Sequence, residues 1–464
     1  MAAGALAVLT ACAGRGAPSR SGPATGAASA SGLTAPGRPA TSADPDWLTY
    51  HHDAAHSGTN RATPPLLPAH QAWTSPRLDG DVYGEPLGAD GVVFVATGND
   101  TVYGLDATSG AVRWTTHLAT PVPLSELPCG DVDPLGILST PVIDPARHLL
   151  FAVTEEKLPA GVRHQLVALD TRTGSVASKR VVDPPGMNVV AQQQRSSLVI
   201  DQGRVIVAFG GLYGDCGAYH GWLVSAAEDG AGPLTSYHTP GNEVAFWSPG
   251  GPVVDADGSI FVTSGNGSST TTYDEGEAVL RFDPALTLHD SFTVSGWAVD
   301  NASDADLGSA GPILLGGGLL FQAGKRPTGY LLDTTHLGGI GGQAFAGATG
   351  CASFGAEAWS PPDLYVACSS GPLRMFQVDT TGRRFTPAWT SQGPGSGPPI
   401  VAGGAVWSED ARTGTLFGYD PATGRTEAAL PTGPAAHFAT PAIVGDEIVV
   451  AARRQVLAFA GPGR

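Results

Sequence analysis

Cysteine is the residue type in this chain whose chemistry is most constrained by position. There are five, and once Cys12 near the N-terminus is set aside, Cys129, Cys216, Cys351 and Cys368 form an even set. Such a set makes two disulfides outside the cytosol, and sequence leaves the pairing open. Cys351–Cys368 is favoured because the two bracket one expected β-hairpin (Ala352–Trp359 and Leu364–Ala367), which leaves Cys129–Cys216 to join two long loops. No Cys-x-x-Cys and no Cys/His cluster with zinc spacing occurs, so redox-motif and structural-zinc readings are weak. His220, His437 and the other histidines have no regular metal spacing, and the absence of Gly-x-Ser-x-Gly leaves a serine hydrolase without local support. Asp131-Val132-Asp133 suits a channel mouth or a cation, but suits turn capping better.

Residues 2–11 form a short apolar run ending Leu9-Thr10-Ala11-Cys12. It resembles the lipobox of bacterial lipoproteins, which makes Cys12 the expected acylation site and 1–12 part of an export signal. The run has no basic residue and is too short for a complete signal or a membrane span, so more of the leader is expected upstream. Residues 13–44 are almost entirely Ala, Gly, Ser, Thr and Pro with a few Arg and no apolar periodicity, the composition of a flexible tether. With 25 Lys and Arg against 42 Asp and Glu, a net charge of −17, the surface repels nucleic acid and gains little from anionic lipid.

Those candidates need a scaffold, and residues 45–464 read as a repeat. Glu85-Pro86-Leu87, Val92–Ala96, Thr101–Asp106 and Ala111–Trp114 are short strands in succession, with Asp106-Ala107-Thr108-Ser109-Gly110 turning between the last two. The pattern returns with drift about eight times, its turn aspartates at Asp106, Asp170, Asp283, Asp333, Asp379 and Asp420. The high Gly and Pro content and the spacing between copies suit propeller blades, so the expected fold is all-β, an eight-bladed β-propeller of four-stranded antiparallel blades. The last unit, ending at Gln455–Phe459, lacks its fourth strand. Gln71-Ala72-Trp73-Thr74 reads as the strand that completes it and closes the ring.

The units resemble the pyrroloquinoline-quinone (PQQ) type propeller repeat, carried by Gly104-Leu105-Asp106-Ala107-Thr108-Ser109-Gly110-Ala111-Val112-Arg113-Trp114 and, less completely, by Ala168–Gly174. Trp47–Asp53 and Ser57-Gly58 resemble the lead-in such chains carry, read as structural. The resemblance implies the fold but two functions, because the family holds quinoprotein dehydrogenases and the noncatalytic outer-membrane-assembly lipoproteins. For the dehydrogenases it implies PQQ and calcium, with Trp247 of Phe246-Trp247-Ser248-Pro249 as the stacking floor and Asn266 of Ser264-Gly265-Asn266-Gly267 as a calcium ligand. It also implies Asp306 as the catalytic base, Lys325 as the quinone contact, and Asp215 as the nearest acid to the expected second metal ligand. Each has another reading: Asn266-Gly267 is a hairpin turn signal, Trp247 packs between blades, Asp306 caps a turn, and Lys325 is a solvated strand-end charge.

The departures weigh against catalysis. The vicinal cysteines of many alcohol dehydrogenases are absent, Cys216 stands at the expected acidic ligand, and no Cys-x-x-Cys-His haem motif supplies an electron carrier. The primary expectation is an exported, lipid-anchored monomer acting as a cell-surface scaffold that binds a protein, peptide or glycan. The alternative is a PQQ- and calcium-dependent dehydrogenase of an alcohol or polyol.

Overall fold

The computed structural model describes residues 46–395 and 397–463; Cys12, the 1–12 signal and the 13–44 tether lie outside the described residues. Eight antiparallel sheets follow one another along the chain, spanning 87–117, 142–181, 199–238, 253–293, 313–348, 358–394, 400–431 and 442–460, here blades one to eight. Three of them gain an extra short strand at an edge: Gln192–Gln193 in blade three, Gly339–Ile340 in blade four and Thr59–Asn60 in blade seven. Among the described residues no helix is long and apolar enough to cross a membrane.

The strands are placed by what each must bury. In blade one the second strand, Val92–Thr97, is buried at every position because it is covered on both faces by neighbouring blades. The outermost strand, Val112–His117, alternates between exposed and half-buried residues, as an edge facing water does. Blade eight supplies three strands of its own, and His70–Thr74 adds the fourth, with Gln71 opposite Phe459 and Thr74 opposite Leu457. The N-terminal strand therefore closes the ring, as the incomplete last unit requires.

The repeated tryptophan and glycine belong to one joint. Trp73 on the last blade lies on the Gly110 turn of blade one, Trp114 on the Gly174 turn of blade two, and Trp389 on the Gly424 turn of blade seven. Each indole N–H donates to a turn carbonyl of the next blade: Trp73 to Ala107, Trp114 to Thr171 and Trp389 to Pro421, at 2.9–3.0 Å. Gly174 has φ +69°, and a Cβ there would sit 2.4 Å from a Trp114 ring carbon, so both backbone and packing demand glycine.

The lead-in forms a collar inside the ring. Trp47 exchanges backbone hydrogen bonds with Gly88 of blade one, and the Leu48 carbonyl accepts from Ile143 of blade two. The Thr49 hydroxyl donates to the Leu198 carbonyl at blade three. The carbonyls of Ala54, Ala55, Ser57 and Gly58 accept in turn from Val254, Leu314, Trp359 and Val401 on blades four to seven. Asp53 ties the bend by accepting from the Ala55 and Ser57 amides and the Ser57 hydroxyl. Burial holds His51 and His56 down to about 3 and about 4, so both are neutral inside this collar.

Candidate functional site

Topology decides which loops meet. In each blade the turn between third and fourth strands lies at one end of the ring. The hairpin between second and third strands, and the crossing to the next blade, lie at the other. Trp247 precedes the innermost strand of blade four (Val253–Val254), and Asp306 precedes that of blade five (Ile313–Gly316). Asn266 and Lys325 follow the second strands of the same blades (Ile260–Thr263 and Leu319–Gln322). All four thus stand at one end of the ring on adjacent blades, and the backbone draws them together. The Gly265 N–H donates to Ala245, and the Lys325 N–H donates to the Asp306 carbonyl at 2.8 Å.

The side chains meet closely. Asp306 is 2% exposed; its Oδ1 accepts from the Asn266 N–H at 2.6 Å, and its Oδ2 lies 2.5 Å from Lys325 Nζ. Lys325 reaches a second acid, Asp304, at 2.6 Å, and its ammonium stands 5.7 Å from the centre of the Trp247 ring. Gly265 keeps the approach possible, since a Cβ there would lie 2.5 Å from Trp247 Nε1 and 2.8 Å from Asp306 Oδ1. Burial pushes the Asp306 carboxyl above its ordinary value against the pull of Lys325. Burial also works against the Lys325 charge, but Asp306 and Asp304 together hold it above its ordinary value.

Asp215 is held apart from this group. It lies beside Cys216, whose disulfide with Cys129 joins the two long loops, and its Oδ1 accepts from the Tyr219 hydroxyl at 2.5 Å. Tyr219 packs with Ala191 and Ala245 against Trp247, so the tyrosine that binds Asp215 stands between it and the cluster. The second disulfide, Cys351–Cys368, also forms as expected.

Several participants carry no motif. Glu277 is fully buried and accepts from the Leu307 N–H; burial first, then the Asp306 charge, push its carboxyl up to about 8. Arg195 donates from Nε to the Trp247 carbonyl at 3.1 Å, and its guanidinium lies 5.1 Å from the Trp247 ring centre and 5.4 Å from that of Phe438. Phe354 bridges the two rings, 6.4 Å from Trp247 and 5.8 Å from Phe438. The one available signal was positional: Arg195 ends a polar run just before an innermost strand, the station that Trp247 and Asp306 occupy on later blades.

Two cavities open beside this cage and share His437 and Phe438 as a wall. The first, about 210 Å³, has Tyr50 of the collar, Glu85, Asp131 and Arg195 among its lining. The second, about 190 Å³, lies between Phe354, Phe438 and Glu409.

This arrangement does not fit the quinone and calcium that the resemblance implies. Calcium takes six to eight oxygens as a rule, yet Asp306 already faces an ammonium and a backbone N–H, and Asp215 is tied to Tyr219. Among the described residues no group of three or more His, Cys, Asp or Glu is arranged to hold a metal ion. A planar quinone needs an open indole face, and Arg195, fastened by its bond to the Trp247 carbonyl, occupies space over one face of that ring.

Residues 69–267 match the family model described as outer membrane protein assembly factor BamB. No curated protein matches in sequence. Among solved structures, the quinohemoprotein alcohol dehydrogenase of Comamonas testosteroni superposes with a TM-score of 0.69 at 16% identity, covering 90% of this chain and 81% of that one. A europium-containing methanol dehydrogenase gives 0.67 at 14%, covering 90% and 98%. BamB from Moraxella catarrhalis gives 0.56 at 15%, covering 85% and 98%.

Proposed function

Taking as premise that this protein is an eight-bladed β-propeller of the PQQ-like type, we propose that it is a noncatalytic binding protein of the cell exterior. In this reading Cys12 carries a lipid anchor, residues 13–44 tether the propeller, and the loop end of the ring binds a protein, peptide or glycan partner. The observation that carries it is the state of Asp306: the residue at the position of the base is engaged by Lys325 and Asn266, and that lysine lies near a tryptophan over which Arg195 is also placed. A base must be free to take a proton from its substrate, and this carboxylate is closed off by a cation of its own chain. The matched family model is named for outer membrane protein assembly rather than for an oxidation, which favours the same reading.

The convergence of Trp247, Asn266, Asp306 and Lys325 favours a second reading, a dehydrogenase of an alcohol or polyol. Titrating the purified protein with PQQ and calcium separates the two, because a ligand of the folded state raises its melting temperature. The binding reading expects no shift and no PQQ-dependent oxidation of an alcohol panel. A saturable shift abolished by Trp247→Ala, together with turnover lost in Asp306→Asn, overturns it.

A further inference from the structure

Glu409 is the last but one residue of the second strand of blade seven, Ala405–Asp410, on the same face as Ala405 and Trp407. Those two enter the apolar core between blades, whereas Glu409 comes at the loop end, where the core gives way to the 190 Å³ chamber. It is fully buried, and neither carboxylate oxygen receives a hydrogen bond of ordinary geometry among the described residues. The nearby Thr432 hydroxyl donates instead to the Gly433 carbonyl. Buried polar groups are almost always partnered, so a carboxyl left without a well-formed donor among the described residues, at the border of a cavity, calls for a ligand that supplies one.

The walls narrow the choice. Phe354 and Phe438 stack 5.8 Å apart at 17° between planes, presenting aromatic surface to the chamber beside the acid. A carboxyl at the end of an aromatic-walled slot suits a primary ammonium on an alkyl stem: the charge meets the acid, and the methylenes and the cation both gain from the rings. Phe438 is held at φ +68°, a conformation that non-glycine residues seldom adopt and that tends to persist at ligand sites.

We propose that this chamber binds a primary amine, with Glu409 as the ammonium acceptor and Phe354 and Phe438 as the walls around the stem. The proposal deepens the binding reading by naming one group that a partner presents, and its test involves no quinone, so either can fail alone. The other charged groups near the chamber are Arg412, paired with Asp410 at 3.5 Å, His437, whose imidazole is held below its ordinary value by burial and by Arg195, and Arg195 over Phe438. Burial pushes the Glu409 carboxyl up to about 8, with Thr432 partly opposing, so an arriving ammonium displaces its proton.

The test is calorimetric titration of the whole chain with cadaverine, with Nα-acetyl-lysine methylamide and with the uncharged norleucine analogue. Either amine should bind at least tenfold more tightly than norleucine, releasing close to one proton per site at pH 6.5 and almost none at pH 9. Tighter binding of cadaverine assigns the site to free amines, and tighter binding of the lysine compound to a protein side chain. Glu409→Gln should lose at least tenfold, and Ala411→Leu, which narrows the chamber without altering the acid, should weaken both amines. Equal binding of the norleucine analogue, or undiminished amine binding in Glu409→Gln, overturns the proposal; should that variant not fold, full amine affinity in Ala411→Leu does so.

Discussion

Replacing Lys325 by methionine keeps most of the side-chain volume and removes the cation 2.5 Å from Asp306. Asp306 is 2% exposed and retains only the Asn266 N–H, so the variant leaves a buried carboxylate without its counter-charge. Breaking a buried pair from one side costs about 3–5 kcal/mol. Lys325 is 22% exposed and also touches the surface acid Asp304, so the lower end, about 3 kcal/mol, applies at pH 8. The sign with pH follows from burial acting unopposed. The folded-state value of Asp306 rises further above that of the unfolded chain, and the folded protein then keeps a proton that the unfolded chain gives up as pH rises past about 4. The penalty should therefore fall below about 1 kcal/mol at pH 4.5 and grow toward pH 8. Asp306→Asn leaves Lys325 with Asp304, so it should cost about 1 kcal/mol, and the double variant should be more stable than Lys325→Met alone, a coupling of about 2 kcal/mol. Urea unfolding of the four proteins at both pH values, read by circular dichroism, measures this. A Lys325→Met penalty independent of pH, or strictly additive variants, would mean that Lys325 does not hold Asp306, and the noncatalytic reading would lose its main support.

Three further outcomes are expected. Gly174→Ala should cost about 3 kcal/mol, combining left-handed backbone strain with overlap on Trp114, whereas Gly203→Ala, at φ +75° with nothing within 4 Å, should cost about 1 kcal/mol; equal losses in urea midpoint would remove the indole contact from the account. Burial lifts Glu277 and Glu409 to about 8 and Glu357 to about 7, so the folded state holds protons the unfolded chain releases, and stability should fall as pH rises from about 5 to 9. His51 and His56, lowered in the fold, act with the opposite sign below their ordinary 6.5, which makes the fall steepest above that pH; melting curves that stay flat from pH 6.5 to 9 would contradict this. Replacing Cys129 and Cys216 by serine, a separation of 87 residues, should destabilise by about 4.5 kcal/mol, against about 3 kcal/mol for Cys351 and Cys368 at 17, and nonreducing unfolding checks the order.

Much of the fold was legible because its rules are local. Asp106, Asp170, Asp333 and Asp420 each accept from amides two residues on, so the turn that marks a blade is written within a few consecutive residues. Closure by Gln71–Thr74 was legible for a related reason: a blade short of one strand leaves an open edge, and the only matching segment lay at the other end of the chain. The lead-in could be recognised as structural, but its path as a collar could not, since Ala54, Ala55 and Gly58 act through backbone carbonyls that carry no side-chain signature.

By itself the sequence determined the repeat, the number of blades, the closing strand and the nearness of Trp247, Asn266, Asp306 and Lys325, because each follows from strand order and from turn residues with fixed conformational preferences. Only the tertiary structure decided what those residues do to one another. That Lys325 faces Asp306, that Arg195 from another blade lies over Trp247, that Tyr219 holds Asp215, and that Glu409 ends without a well-formed donor among the described residues are matters of side-chain direction across blades. Such contacts join residues tens or hundreds of positions apart. Burial then sets their charge states, and burial belongs to the assembled ring rather than to any stretch of chain.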